Sequence, residues 1–329
     1  MSFETLFTDF TKVKVAVIGD VMLDSYLFGN VERISPEAPV PIVAIKQKEY
    51  RIGGAGNVAL NIVALGAETY IFSVTGKDED GEILQKLYKE HGINTNYLIQ
   101  SEGRITTNKT RIMSHNQQMM RLDKEITHDI SVEEIQLLIN QFQQCIQNNK
   151  PDIVVFEDYN KGVLTPSLIE SIIDLCKQHG IHTAVDPKKK NFFAYKSVDI
   201  FKPNLKEVKE GLNISIDAIH QTHLLTVHAL LQEKLQHKAS FITLSEKGVF
   251  YAIEQSSALI ATHIRNIADV SGAGDTVIAV ASLVYAATKD MHLAAEMANI
   301  AGGLVCEEVG TAAINKEKFL LECQRLLQV

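Results

Sequence analysis

Little in this sequence suits secretion, a membrane or a nucleic acid. Its 329 residues include only four cysteines, Cys145, Cys176, Cys306 and Cys323, far apart and without a C-x-x-C pair. Scattered free thiols suit a reducing compartment. Glu4 and Asp9 stand where a signal peptide would be basic, and no apolar core or small-residue cleavage site follows. The most apolar stretch, Val277–Ala287, is about half the ~20 residues that span a bilayer. A basic excess is missing too. The 32 Lys and Arg face 40 Asp and Glu, a formal −8, whereas nucleic-acid affinity rests largely on neutralising phosphates. There is no internal repeat and no low-complexity segment, and 46% apolar residues are too many for a disordered chain. The expectation is a soluble cytoplasmic protein that binds neither nucleic acid nor membrane. An anionic ligand then has to be held by a local basic cluster or by backbone N–H groups.

What is present is an alternation of strands and helices. Val13–Ile18 is a clear first strand, and the next thirty residues read as short strands broken by Pro36, Pro39 and Pro41. A helix over Ala55–Leu65 closes at Gly66; strand Thr69–Val74 and helix Gly81–His91 follow. Thr106–Met113 and Gln118–Leu122 read as a second small β element. From Ser131 the order is helix to about Cys145, strand Asp152–Phe156, helix Pro166–His179 and strand His182–Asp186. Strands Val198–Phe201 and Ala239–Leu244 and helices from Ala273 onward complete it. This pattern predicts an α/β fold with a mostly parallel sheet covered on both faces. The β-rich insertions, about 21–52 and 95–123, are expected to form one small sheet, a lid.

Five groups of residues could carry chemistry. Asp269-Val-Ser-Gly-Ala-Gly-Asp275 runs into an apolar helix, so unpaired N–H groups and the positive helix end converge on one point. An aspartate there would repel a phosphate, yet it suits a base that deprotonates a hydroxyl attacking phosphorus; it also reads as an N-cap after a glycine turn. Gly53-Gly54-Ala55-Gly56-Asn57 opens a helix and contains the dinucleotide-type spacing Gly54, Gly56, Ala59, but not after the first strand of a βαβ unit. Asp20 and Asp24 lie at the end of the first strand, where they could meet sugar hydroxyls or serve only as turn residues. Asn204 and Glu207 share one face of a helix start, suited to hydrated Mg2+ or to capping alone. Arg104, Lys109, Arg111 and Arg121 have no acidic residue among them; they read as a solvated strand or as a grip for a phosphate.

In this order the motifs resemble the ribokinase-like (PfkB) carbohydrate kinases over nearly the whole chain. The resemblance implies a three-layer α/β/α sandwich with a small β-sheet lid. It also implies Asp275 as catalytic base, Gly272, Ala273 and Gly274 as the anion hole, and Asn204 and Glu207 supporting Mg-ATP, with Glu207 on Mg2+ through water. Within the family the chain resembles in particular the heptose-7-phosphate kinases of bacterial ADP-heptose synthesis. That likeness lies in Gly19-Asp-Val-Met-Leu-Asp24, Arg33-Ile-Ser-Pro-Glu-Ala-Pro-Val-Pro41, Asn116–Asp123, Asp158-Tyr-Asn-Lys161-Gly162 and Asp186-Pro-Lys188. It implies phosphorylation of the anomeric hydroxyl, with Asp20, Asp24, Arg33, Gly53, Gly54, Asn57, Lys109, Arg111, Asp158 and Lys161 around the sugar phosphate. Asp186, Lys188, Ser245 and Gly248 are expected beside the nucleotide. A monovalent cation near Asp269 and Ser271 and a homodimer through the lid sheets are further implications. Glu157 departs from the family's usual Ser before Asp-Tyr, Lys189-Lys190 replace a glycine-containing turn, and Ser271 replaces the commoner Thr. No H-x-G-H motif occurs, so one kinase domain over 1–329 without a nucleotidyltransferase is expected. The rival classes are a dinucleotide-dependent oxidoreductase built on Gly54-x-Gly56, and a non-catalytic sugar-binding regulator, which would have no need of Asp275.

Overall fold

The computed structural model describes residues 2–114, 117–216 and 219–327; Asn116, part of one stretch quoted above, lies outside them. After a short helix α1 (Phe3–Asp9), the apolar run forms β1 (Lys14–Gly19). Its side chains alternate between two cores, Val15 and Val17 on one face and Ala16 and Ile18 on the other, as the two-residue period of a strand requires. Then come β2 (Val21–Ile34), β3 (Pro41–Gly54), α2 (Ala55–Leu65), β4 (Glu68–Gly76), α3 (Glu79–Glu90), β5 (Asn94–Ser101), β6 (Asn108–Ser114) and β7 (Gln117–Lys124). The regular part continues through α4 (Val132–Asn148), β8 (Ile153–Glu157), α5 (Pro166–His179), β9 (His182–Asp186), β10 (Ile200–Phe201), α6 (Leu205–Leu212) and α7 (Gln221–Leu235). Last are β11 (Ala239–Thr243), β12 (Val249–Ile253), β13 (Ser256–Ile260), α8 (Ala273–Thr288), α9 (Met291–Val305) and α10 (Lys316–Leu326).

The described residues build a nine-stranded sheet in the order β13-β12-β11-β10-β9-β8-β1-β4-β5. It is parallel from β11 to β5, with β12 and β13 antiparallel at one edge. Side chains of α1, α2, α8, α9 and α10 fill the core on one face, and those of α4, α5, α6 and α7 fill the other, giving the three layers expected. Helix ends follow local chemistry. Ser131 and Glu134 form a capping box at α4, and Thr165 caps α5, whose first residue is Pro166. Gly66 closes α2 at φ +103°. No helix among the described residues is long and apolar enough to cross a membrane.

The small sheet has the order β3-β2-β6-β7. Its second contribution is shorter than the 95–123 expected from sequence. Asn94–Ser101 pairs in parallel with β4 as the edge of the main sheet, so only β6 and β7 enter the lid. The first contribution is two long strands of 14 residues each rather than several short ones, bulged between Phe28 and Gly29 and between Val31 and Arg33. The lid springs from the C-terminal end of β1 and returns at Gly54 to the start of α2, over the edge where open α/β sheets bind ligands.

Candidate active site

The head of α8 is the centre of the site. Gly272 is its N-cap residue at φ +78°, and no side chain caps the helix; Ala273 N makes a long bond to the Val270 carbonyl at 3.3 Å, and the other N–H groups of the first turn keep the orphan character of a helix start. A Cβ at Gly272 would fall 2.7 Å from Asn57 Nδ2; only glycine permits both that φ and that approach. Asp275 is buried but does not cap its own helix. Its Oδ1 accepts from the Tyr159 hydroxyl at 2.6 Å and its Oδ2 from Asn57 Nδ2 at 2.8 Å, which removes the simple N-cap reading. Burial pushes the Asp275 carboxyl up to about 6, opposed by the bonds from Tyr159 and Asn57. Such a group is ionised at neutral pH and basic enough to take a proton. Asn57 is fixed in turn by Asn61, which donates to its carbonyl at 2.8 Å and accepts from the Thr276 hydroxyl at 3.2 Å. The starts of α2 and α8 are thus locked together. Asp269 shapes the turn before α8, accepting from Ser271 N and Oγ on one oxygen and from Gly310 N on the other.

Asp20 and Asp158 differ from their sequence reading as sugar ligands. The Asp20 carboxylate is buried and accepts three backbone N–H groups, from Tyr159 at 2.8 Å, Lys161 at 3.0 Å and Val163 at 3.1 Å. Burial, then the charge of Asp158, lifts it to about 6 against those bonds. Asp158 accepts from Asn160 N, Asn191 and Tyr195. Asp20 thus spends its acceptor capacity on the 159–163 loop and holds Tyr159 against Asp275, while Asp158 ties the start of that loop to Asn191 and Tyr195. Lys161 pairs with Glu125 at 2.8 Å.

On the other side of Asp275, strand ends gather the charges proposed for the nucleotide. Asp186 ion-pairs with Lys202 at 2.8 Å and Lys188 at 3.3 Å. Burial works against its charge, but the two lysines outweigh it and hold it below the usual carboxylate range. Lys188 also reaches Glu207 at 2.6 Å. Asn204 and Glu207 form a full capping box at α6, and Asn204 bridges to Thr243. Ser245 and Gly248, at φ +54° and +95°, make the next turn, between β11 and β12. Glu157, at the end of β8, is fully buried, and neither carboxylate oxygen has a hydrogen-bond partner. Burial, then the nearby charges of Asp186 and Asp275, drives its carboxyl well above the usual range.

The lid face over the site carries Asp24, Tyr26, Lys109 and Arg111, with Asp24 opposite Lys109 and Tyr26 opposite Arg111 in the register. The basic strip read as uncompensated is largely compensated from outside its own segment. Arg111 meets buried Asp24 at 2.5 Å, Arg121 forks onto Asp123, and Arg104 donates to the carbonyls of His128 and Lys161. Lys109 forms no ion pair among the described residues and lies 5.1 Å over the Tyr159 ring. Burial lowers its pKa. Arg33 is not brought to the cluster: it is exposed, nine residues beyond Asp24 and so roughly 30 Å further along β2. Gly53 and Gly54 serve close packing within the chain, since a Cβ there would fall 2.6 Å from Asp24 Oδ2 and 2.4 Å from the Asp20 carbonyl. Because Gly54 ends a lid strand, the Gly54-x-Gly56 spacing is not the βαβ turn of a dinucleotide site. Tyr159, Asn61 and Lys202 went unassigned from sequence; only Tyr159 lay in a stretch quoted for the family likeness.

A three-layer sandwich with an anion-ready helix head, a basic carboxylate inside it and a lid above defines a small-molecule phosphotransferase of ribokinase-like fold. The chain belongs to the pfkB family of carbohydrate kinases, whose family model matches residues 12–318. Among curated relatives, "Bifunctional protein HldE" of Methylobacillus flagellatus is 42% identical over 316 residues, 95% of this chain and 63% of that protein. The protein of the same name in Desulfatibacillum aliphaticivorans is 39% identical over 96% of this chain and 64% of its own length. The chain therefore spans under two thirds of these relatives. Phosphofructokinase-2 from Escherichia coli in complex with potassium has the same fold, with TM-score 0.79 and 17% identity over 95% of this chain and 100% of that one. Arabidopsis thaliana ribokinase complexed with ribose and ATP gives 0.73 and 17% over 94% and 98%.

Proposed function

We propose that this chain transfers the γ-phosphoryl group of ATP to the anomeric hydroxyl of D-glycero-D-manno-heptose 7-phosphate, giving the 1,7-bisphosphate and ADP. The observation that carries the reading is Asp275, a buried basic carboxylate inside an uncapped helix head. Asp275 takes the hydroxyl proton as the sugar oxygen attacks phosphorus, while the N–H groups of Gly272, Ala273 and Gly274 face the charge on the transferring group. Gly53, Gly54 and Asn57 line the floor of the sugar site, and Lys109 with Arg111 meets the 7-phosphate from the lid. The carboxylates of Asp186 and Glu207 are hard oxygen donors that fit a hydrated Mg2+, with Asn204 orienting Glu207. When bound with ATP, that ion neutralises phosphate charge. Lys188, Ser245 and Gly248 belong to the nucleotide side. The choice of a heptose phosphate rests on the Arg33–Pro41 and Asp158–Gly162 stretches.

A monovalent cation beside Asp269 and Ser271 extends the reading, supported by the potassium of the phosphofructokinase-2 complex. A homodimer through the lids is supported by exposed Ile34, Ile45, Met119, Met120 and Leu122 on the small sheet. The test is an ADP-release screen over hexoses, heptoses and their phosphates. The expected result is highest kcat/KM on heptose 7-phosphate; preference for an unphosphorylated sugar refutes the substrate, and NAD(P)H binding without ATP turnover refutes the class.

A further inference from the structure

The lid is tied to the anion turn chiefly by Arg51, a side chain to which the proposed function gives no substrate contact. Arg51, on β3, sits directly opposite Asp24 in the strand register. Asp24 is already taken by Arg111, so the Arg51 guanidinium turns to the main domain. Its Nη1 donates to the Val309 carbonyl at 2.5 Å and to the Thr311 carbonyl at 3.3 Å, while its Nη2 donates to Glu49 at 3.2 Å. The guanidinium lies 4.7 Å over the Tyr26 ring, with Arg111 5.2 Å from the same ring, and the Tyr26 hydroxyl accepts from Thr311 N at 3.4 Å. Between the two gripped carbonyls is Gly310, at φ +74°, whose N–H donates to Asp269 Oδ2 at 2.9 Å. The other oxygen of Asp269 holds Ser271 N and Oγ, which sets the turn that presents residues 272–274. Thr311 also packs on that turn, its Cγ2 lying 3.3 Å from where a Cβ of Gly272 would be.

We propose that Arg51 is a positioning residue that couples lid position to the geometry of the anion turn through the 309–311 segment and Asp269. Lys109 and Arg111 share the lid with Arg51, so a ligand that settles the lid also settles the segment that orients the turn. This deepens the kinase reading and rests on it for its kinetic consequence, but the clasp itself is a property of the free protein. Nη1 alone reaches both carbonyls while Nη2 is anchored on Glu49; that division of labour between two nitrogens of one planar group is what Lys cannot reproduce, and Gly310 leaves no room for variation. A Cβ there would fall 2.6 Å from the Tyr26 hydroxyl and 2.7 Å from Arg51 Nη1.

The experiment has two arms. Hydrogen–deuterium exchange is measured on ligand-free wild type, Arg51→Met and Gly310→Ala. Both variants are expected to lose protection at least ~10-fold in peptides covering 268–274 and 306–314, while peptides of the main-sheet strands β1, β8 and β9 keep theirs. In the kinetic arm, with the sugar that the wild type turns over best, Arg51→Met lowers kcat at least ~10-fold and leaves KM for ATP within ~3-fold. Arg51→Lys recovers only part of the loss. Unchanged protection in Arg51→Met, or protection lost evenly over the chain, overturns the proposal, as does a wild-type kcat. Should the wild type phosphorylate no sugar, the kinase reading fails and the exchange arm still decides the clasp.

Discussion

Glu157→Gln exchanges a buried carboxyl for an amide of the same shape, and the two proteins should diverge in stability as pH rises. Glu157 is fully buried with both oxygens unpartnered. It pairs in register with Asp186 on the neighbouring strand. Burial, then the charges of Asp186 and Asp275, holds the folded carboxyl protonated well above its ordinary range, against the pull of Lys188 and Lys202. The sign follows from linkage. A raised folded pKa contributes stability that is fully present below the unfolded value and is lost as pH climbs toward the folded one. In that window the unfolded chain has released a proton that the folded chain retains, costing about 1.4 kcal/mol per pH unit. As pH rises from 5.5 to 7.5 the wild type should therefore lose stability relative to Glu157→Gln for as long as the folded carboxyl stays protonated. The glutamine has no proton to lose. The melting temperature of Glu157→Gln should gain steadily on that of the wild type across the interval. The measurement is a ligand-free thermal melt of both proteins at pH 5.5, 6.5 and 7.5. Only the difference in slope matters, because an unsatisfied amide adds a pH-independent offset. Parallel curves, or a glutamine variant that falls behind as pH rises, would mean that Glu157 is ionised in the folded protein and bound to Lys188 or Lys202.

Asp275→Asn should lower turnover at least ~10²-fold, the scale of a lost general base, with Mg-ATP affinity by calorimetry within a few fold; near-normal turnover refutes the assignment. Lys109→Met should weaken use of the sugar phosphate by ~1.5–3 kcal/mol, the range for a hydrogen bond to a charged group, and leave ATP affinity unmoved; kcat/KM on phosphorylated and unphosphorylated sugars separates the two effects. Arg111→Met is the less clean probe. It strands the buried Asp24 carboxylate, so a loss of melting temperature should accompany its loss of activity, and a fully stable variant would contradict the Asp24 pairing. Replacing K+ by a bulky organic cation in the assay should lower kcat if a monovalent ion supports the 269–271 turn, and an unchanged rate removes that ion from the reading.

The readable part of the chain was the part written locally. Parallel strands buried on both faces appear as apolar runs such as Val13–Ile18 and Asp152–Phe156, and caps such as Thr165-Pro166 mark their helices. Asn94–Ser101 misled because it is an edge strand, only partly buried, and its mixed polarity resembles that of a lid strand. The Gly272–Asp275 turn is also local, since four consecutive residues define the helix head. The partners of Asp275 are not: Asn57 and Tyr159 lie 218 and 116 residues away. Charge along the 104–121 segment misled for the same reason, because the carboxylate that neutralises Arg111 is 87 residues away on a neighbouring strand. Asp20 shows the limit most plainly. Its place at the end of β1 was legible, but three N–H groups from the 159–163 loop decide whether its oxygens face a ligand or the chain, and only the fold brings that loop to it.

That loop sets the basicity of Asp275, and Tyr159→Phe tests how strongly. The Tyr159 hydroxyl donates to Asp275 Oδ1 at 2.6 Å. Burial, then the charge of Asp275, drives the phenol well above its ordinary pKa, so it remains a donor throughout the working range. A bond donated to the ionised carboxylate stabilises the charged form, and it opposes the burial that lifts Asp275 to about 6. Removing it should raise the carboxyl further. A hydrogen bond to a charged group contributes ~1.5–3 kcal/mol, which at about 1.4 kcal/mol per unit corresponds to a rise of about 1–2 pH units. Asp275 acts as a base only when ionised, so activity falls as pH drops through its pKa, and kcat/KM follows the free enzyme. The acid limb of the kcat/KM profile should therefore move up by about 1–2 units in Tyr159→Phe. The variant would then be slow at pH 6.5 and approach the wild type near pH 8.5. A uniform loss of rate with the limb unmoved would assign Tyr159 to holding the loop rather than tuning the base. A limb displaced to lower pH would mean that the phenol does not stabilise the ionised carboxylate.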